Sequence, residues 1–117
     1  MADAGYLPYR DMLRTVLRHA GGIRVDHILG LFRQWWIPAG SAPGEGAYVH
    51  FDHEALIGIL VLEAERAGAV VVGEDLGVFE PWVQEYLGDR GVLGTSILWF
   101  EQGETARGCR RNTVRVH

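Results

Sequence analysis

Two acidic residues carry the chemistry this sequence offers. Asp26 stands near the end of "GGIRVDHI", a β-branched run led by two glycines, and Glu74 near the end of the apolar run "AVVVGED". Parallel strands lie about 4.8 Å apart, so if these runs are neighbours their last side chains meet at about that separation. Carboxyl groups about 5–5.5 Å apart suit double displacement at a glycosidic bond, one as nucleophile and one as acid/base; direct attack by water needs a wider gap. Arg24 lies two residues before Asp26, on the same face of an extended chain. A guanidinium there favours the charged form of the aspartate. The plainer alternative makes Arg24–Asp26 a structural ion pair and Gly73-Glu74-Asp75 a solvated turn. Spacing alone leaves both open.

Such ends need a regular frame, and the sequence alternates helix with strand. Residues 10–20 place Met12, Leu13, Val16, Leu17 and Ala20 on one helical stripe, stopped by Gly21 and Gly22. The run 22–28 follows as a strand. Residues 53–67 predict a second helix, with Asp52 as N-cap and Glu54 in its first turn. Gly68 ends it. Residues 69–75 then form a strand that, apolar without alternation, reads as buried on both faces. A third helix begins over Phe79 to Leu87 with Pro81 in its first turn, closed by Gly88 and Gly91, and 94–100 is a third strand. Each helix leads into a strand within a few residues, the order of βαβ crossovers and a parallel sheet. Residues 32–51, "FRQWWIPAGSAPGEGAYVHF", read as a long irregular loop leaving the carboxyl end of a strand, where α/β proteins build their sites.

Composition narrows the partners. The chain has 117 residues, 48% of them hydrophobic and 22% charged, the balance of one small globular domain. Fifteen acidic against eleven basic residues give a net charge of −4, which weighs against a nucleic-acid partner. Arg107, Arg110, Arg111 and Arg115 read as a short solvated tail. Cys109 is single, so no internal disulfide forms. "MADAGYLPYRD" lacks the apolar core of a signal peptide. The longest apolar stretch is broken by Glu63, Glu65 and Arg66, too early for a bilayer span. A cytoplasmic protein with no membrane partner is expected. His50, Asp52 and His53 have loose metal-ligand spacing but no third ligand on another element; capping by Asp52 is the better account, and no metal is expected. Gly73 and Gly77 bracket the Glu74 turn without the Gly-Lys-Ser/Thr of a phosphate loop. Trp35 and Trp36 either stack on sugar rings or anchor their loop to the core, and Trp99 faces either the site or the core, the core being the better account.

The segments "GGIRVDHILGLFRQWWIPAG", "GEGAYVHFDHEALIGILVLEAERAGAVVVGEDLG" and "GTSILWFE" closely resemble the 4-α-glucanotransferases, the amylomaltases or disproportionating enzymes of the α-amylase clan, from about Gly5 to Phe100. The resemblance implies a partial TIM (β/α)8 barrel over residues 1–103, roughly the third helix to the sixth strand, with parallel strands and intervening helices. Residues 104–117 are then an atypical basic tail, disordered or frame-shifted. It also implies that Asp26 is the nucleophile, Glu74 the general acid/base and Arg24 the residue that orients the nucleophile. His27, with Trp35 and Trp36, is taken to contact substrate. The implied reaction transfers α-1,4-glucan segments between maltooligosaccharides, with retention and without a cofactor.

That chemistry needs an acid/base carboxyl still carrying its proton when the leaving oxygen departs. The family's third catalytic carboxylate, in a His-Asp pair, has no counterpart before His117, and a barrel takes about 250 residues. An internal piece of an enzyme is expected, inactive alone, with unpaired strand edges that favour self-association. The alternatives are a fragment of an α-glucan hydrolase and a non-catalytic α/β interaction module.

Overall fold

A computed structural model describes residues 4–76 and 80–97 with their side chains, and the backbone of residues 113–116. Helix α1 spans Leu7–Leu17. It starts earlier than the apolar stripe indicates because Pro8 occupies the first turn, where its missing N–H is no loss. Tyr9, Leu13 and Leu17, each four apart, form its buried face. Met12 and Val16 of the expected stripe are 54% and 47% exposed, and Ala20 lies past the helix end.

Helix α2, His53–Ala67, begins and ends where the sequence indicates. The Asp52 carboxylate accepts the Ala55 amide N–H at 3.1 Å, satisfying one of the orphan donors of the first turn. Leu56, Ile57, Leu60 and Ala64 make the face that meets the core. The Tyr9 hydroxyl reaches across from α1 and donates to the Leu56 carbonyl at 2.9 Å; burial pushes that phenol up to about 12. Glu63 lies on the same buried side of α2, where a lone carboxylate is costly. Arg14 of α1 clasps it with Nε to Oε2 at 2.9 Å and Nη2 to Oε1 at 3.1 Å, and Arg66 adds a 3.5 Å contact.

Strand β1 is Gly22–Val25 and is followed by a 3₁₀ turn over Ile28–Leu31. Strands β2, Arg33–Trp36, and β3, Ala47–His50, come next, then β4, Val70–Gly73, after α2. Helix α3 is Pro81–Asp89, strand β5 Gly94–Ile97 and strand β6 Thr113–Val116. β1 and β4 pair in parallel from Gly22↔Val70 to Val25↔Gly73. β4 is tied onward to the start of β5 through Leu93: the Gly73 amide donates to the Leu93 carbonyl at 2.7 Å, and the Leu93 amide to Val71 at 2.9 Å. β5 and β6 pair in parallel, Gly94↔Thr113 through Ile97↔Val116. Helices joining parallel strands make this an α/β fold, as the sequence indicates.

Three local expectations are corrected. The first strand stops at Val25 rather than running to 28, because His27 takes a left-handed backbone (φ 50°) and the chain turns inward, burying Ile28 and Leu29. The segment 32–51 is not irregular. β2 and β3 form an antiparallel hairpin, Arg33↔His50 through Trp36↔Ala47; the prolines and glycines that suggested a loop sit in the 37–46 connection between them. β4 is not buried on both faces. Val71 joins the core at 4% exposure while Val70, pointing the other way, is 52% exposed. The expected features at Gly77, Phe79, Trp99, Phe100 and Cys109 fall outside the described residues. Among those described, no helix is long and apolar enough to cross a membrane.

The α1–α2 clasp makes stability depend on pH. The Arg14 hydrogen bonds hold the Glu63 carboxyl below its ordinary 4.5. A carboxyl that is more acidic folded than unfolded stabilises fully above its unfolded pKa and loses that contribution as pH falls through the folded value. Thermal melts are expected to show Tm declining as pH drops below 4.5. Glu63→Gln is expected to lower Tm at neutral pH and flatten the acid-side decline. An unchanged acid slope in that variant would remove Glu63 from this role.

Candidate active site

The parallel ladder places the two carboxylates. Arg24 is the register partner of Val72 and Val25 that of Gly73, so the next positions along the pair are Asp26 and Glu74. Backbone bonds continue past the strand ends: the Glu74 amide donates to the Val25 carbonyl at 2.9 Å, and the Ile28 amide to the Glu74 carbonyl at 3.1 Å. Both residues therefore sit at the carboxyl ends of adjacent strands, on the face that also carries Arg24.

Asp26 is the more open group. Its side chain is 75% exposed and pairs with Arg24, Nη1 to Oδ1 at 3.0 Å. Glu74 is half-buried and accepts at both oxygens: the His27 amide donates to Oε2 at 2.9 Å and the Leu76 amide to Oε1 at 3.0 Å. The left-handed turn at His27 aims its N–H back across the strand gap. Among the sequence-predicted residues, the structure joins Arg24 to Asp26 and His27 to Glu74. The His27 link is through backbone, which no side-chain pattern reveals.

Gly73 is what lets the chain after Asp26 fold under. A Cβ there would lie 2.7 Å from Ile28 Cδ1, and Ile28 is fully buried. The acid-bearing turn and the apolar residue beneath it thus share one volume.

Trp35 and Trp36 sit in β2, 45% and 54% exposed. The Trp35 indole N–H donates to the Pro43 carbonyl at 3.0 Å, and its ring meets Tyr48 edge-on at 5.0 Å. Trp36 donates to Gln34 Oε1 at 3.1 Å and tilts against Phe51 at 6.1 Å. Arg33 lies over the Tyr48 ring at 4.5 Å. The tryptophans are held by their own hairpin and its flank and present open faces. His53 stacks on Phe32 at 4.8 Å. No group of three or more His, Cys, Asp or Glu among the described residues is arranged to hold a metal ion.

Sequence reasoning assigns Asp75 no role of its own, whether as the end of the 69–75 strand or in a solvated turn there. It is 6% exposed and accepts the Thr95 amide at 3.0 Å. Strand alternation carries the signal: if Glu74 faces the mouth, its neighbour faces the core.

The geometry first defines a class, an α/β protein with two carboxylates on neighbouring carboxyl ends of parallel strands, the edge where such folds place their chemistry. More particularly, the chain belongs to the 4-alpha-glucanotransferase family, which it matches over residues 1–116, a span that takes in most of the basic tail. It is 64% identical over 102 residues to the 4-alpha-glucanotransferase of Mycobacterium tuberculosis, covering 87% of this chain and 14% of that protein. Against the Haemophilus influenzae 4-alpha-glucanotransferase it is 39% identical over 98 residues, covering 84% and 14%. Among solved structures, amylomaltase from Corynebacterium glutamicum superposes with a TM-score of 0.82 at 66% identity, over 87% of this chain and 14% of that one. Amylomaltase from Streptococcus agalactiae shares the fold, with a TM-score of 0.78 at 17% identity over 97% of this chain and 24% of that one. The chain spans 14% of the length of both relatives named here.

Gly73→Ala is expected to destabilise the chain by about 1–3 kcal/mol, the usual range for overfilling a packed site, as read from the urea midpoint. A midpoint equal to the parent's would mean that Ile28 yields freely and the turn is not sterically set.

Proposed function

We propose that this chain forms part of the TIM (β/α)8 barrel of a retaining 4-α-glucanotransferase, roughly its third helix to sixth strand, acting on maltooligosaccharides. The observation that carries the reading is the β1–β4 register, which makes Asp26 and Glu74 adjacent. A magnitude supports it further. An ion pair as exposed as Arg24–Asp26 is worth only about 0–1 kcal/mol, so stability is a weak reason for its presence, whereas orienting a nucleophile is a sufficient one.

In this mechanism an Asp26 oxygen attacks the anomeric carbon of a bound glucose unit. The bond to the leaving oxygen breaks as Glu74 gives that oxygen its proton. A glucan 4-hydroxyl then enters, Glu74 takes its proton, and its oxygen displaces Asp26 from the same carbon. Two inversions leave the α-1,4 linkage as it began. Arg24 holds the aspartate in line, and His27, Trp35 and Trp36 contact the sugar, the tryptophans through their open faces. No step calls on a cofactor.

The chain alone is proposed to be inactive and prone to self-association. Met12, Val16, Leu62 and Val70 are all among its exposed large apolar side chains, an uncovered surface of the kind that drives association.

The test exchanges the matching segment of the Mycobacterium tuberculosis relative, 64% identical, for this one. The chimera is expected to transfer glucose units from maltotriose, and Glu74→Gln to cut kcat by at least about 10²-fold. Asp26→Asn is expected to abolish transfer. Parent-like transfer by either variant overturns the assignment, and glucose release by the 117-residue chain alone overturns its inactivity.

A further inference from the structure

Asp75 follows the proposed acid/base and points to the other face, on the side of Val71 and Gly73. A carboxylate only 6% exposed is expensive to keep unless its oxygens are occupied. Here the Thr95 amide donates to Oδ1 at 3.0 Å and the Gln84 side-chain amide to Oδ2 at 3.3 Å. The Thr95 hydroxyl in turn donates to the Gly73 carbonyl at 2.9 Å. Gly94 leaves the space this needs: a Cβ there would lie 3.1 Å from Asp75 Oδ2.

The consequence is a two-sided clamp on one dipeptide. Glu74 is bonded toward the β1 side through the amides of His27 and Ile28. Asp75 is bonded toward β5 through Thr95 and toward α3 through Gln84. The backbone at the exit of β4 cannot rotate to carry the Glu74 carboxyl elsewhere without breaking the buried bonds on the other flank.

We infer that Asp75 is a positioning residue for Glu74, setting through the β4 exit where the acid/base carboxyl sits. The inference rests on the acid/base reading of Glu74. A residue that only held β4 to β5 would lower stability without altering turnover per folded molecule, and that difference decides the matter.

In the chimera, Asp75→Leu removes both acceptors at similar size, so that neither Thr95 nor Gln84 holds the β4 exit from this side. It is expected to lower kcat about 10- to 100-fold, the scale of a small misplacement, with KM within about twofold, as when an interaction made in the transition state is lost. Asp75→Asn keeps an acceptor for the Thr95 amide and, once the Gln84 amide turns over, a bond to Gln84 as well, and is expected to keep most of the kcat. Parent-level kcat in D75L, or recovery of Tm without recovery of kcat in D75N, overturns the inference. Where D75L does not fold, Gln84→Leu removes one of the two bonds. A smaller fall in kcat supports the role, and no fall overturns it.

A second measurement separates this inference from the reading it rests on. In the 117-residue chain, hydrogen exchange followed by NMR is expected to quicken in D75L at the amides of His27 and Leu76, which donate to Glu74, while α1 and α2 keep their rates. Unchanged exchange at those two amides overturns the positioning role. Full turnover by Glu74→Gln in the chimera would instead overturn the acid/base reading, with the exchange result still deciding what Asp75 does.

Discussion

The parallel pairing of β1 with β4 is the constraint on which the rest depends. A parallel ladder fixes which residues are neighbours, and a slip of one residue would turn every side chain to the opposite face. Here Val25↔Gly73 leaves Asp26 and Glu74 as the next pair. The ladder does not fray beyond the strands. The Glu74 amide still reaches Val25 and the Ile28 amide still reaches Glu74. The His27 amide adds a bond from backbone to the carboxylate itself. The strand ends are thus stitched at the point where the two carboxylates stand, and the left-handed backbone of His27 is one of the stitches.

Apolar burial, not charge, holds that register. Among the described residues, Ile28, Ile57 and Leu60 are the largest fully buried side chains, and burying each is worth about 1.5–3 kcal/mol. Ile28 sits directly under Gly73, so the residue that ends the Asp26 turn is also the one that packs the Glu74 turn. The buried Glu63 does different work. Its two bonds from Arg14 specify how α1 lies on α2, a fixed geometry that non-directional apolar contact does not supply. Breaking such a pair leaves a buried charge, which is why its removal is felt even where its presence adds little.

Much of this was legible in the residues, and the failures have physical causes. Asp52 before an apolar run, Gly68 after it and Pro81 at the next start are local signals, and the structure places helix ends at each. The alternation of elements indicated parallel strands, and the structure makes β1 and β4 such a pair. The hairpin was hidden because "WWIPAGSAPGEG" is dominated by turn formers, while its strands are only four residues each. Their pairing is an agreement between residues 33–36 and 47–50, which no local window contains. The early stop of β1 was hidden because a left-handed histidine carries no composition signal. Asp75 escapes notice because a Gly-Glu-Asp strand end reads as surface, and only the packing of β5 and α3 around it shows otherwise.

The asymmetry between the two carboxylates bears on transfer against hydrolysis. Asp26 is 75% exposed as it stands, whereas Glu74 is half-buried with both oxygens occupied by amides. In the proposed double displacement, a covalent intermediate on so open an aspartate would meet water long before a second sugar. A transferase therefore has to cover that side with something this segment does not present among its described residues. The β2–β3 hairpin follows β1 and its 3₁₀ turn in the chain, and its exposed Trp35, Trp36 and Tyr48 offer apolar faces that a sugar ring covers as readily as a protein surface does. On this view the preference for sugar over water is a property of what closes over Asp26, while the pairing of the carboxylates is a property of the segment itself. The two are physically separable, and only the second is written into the β1–β4 ladder.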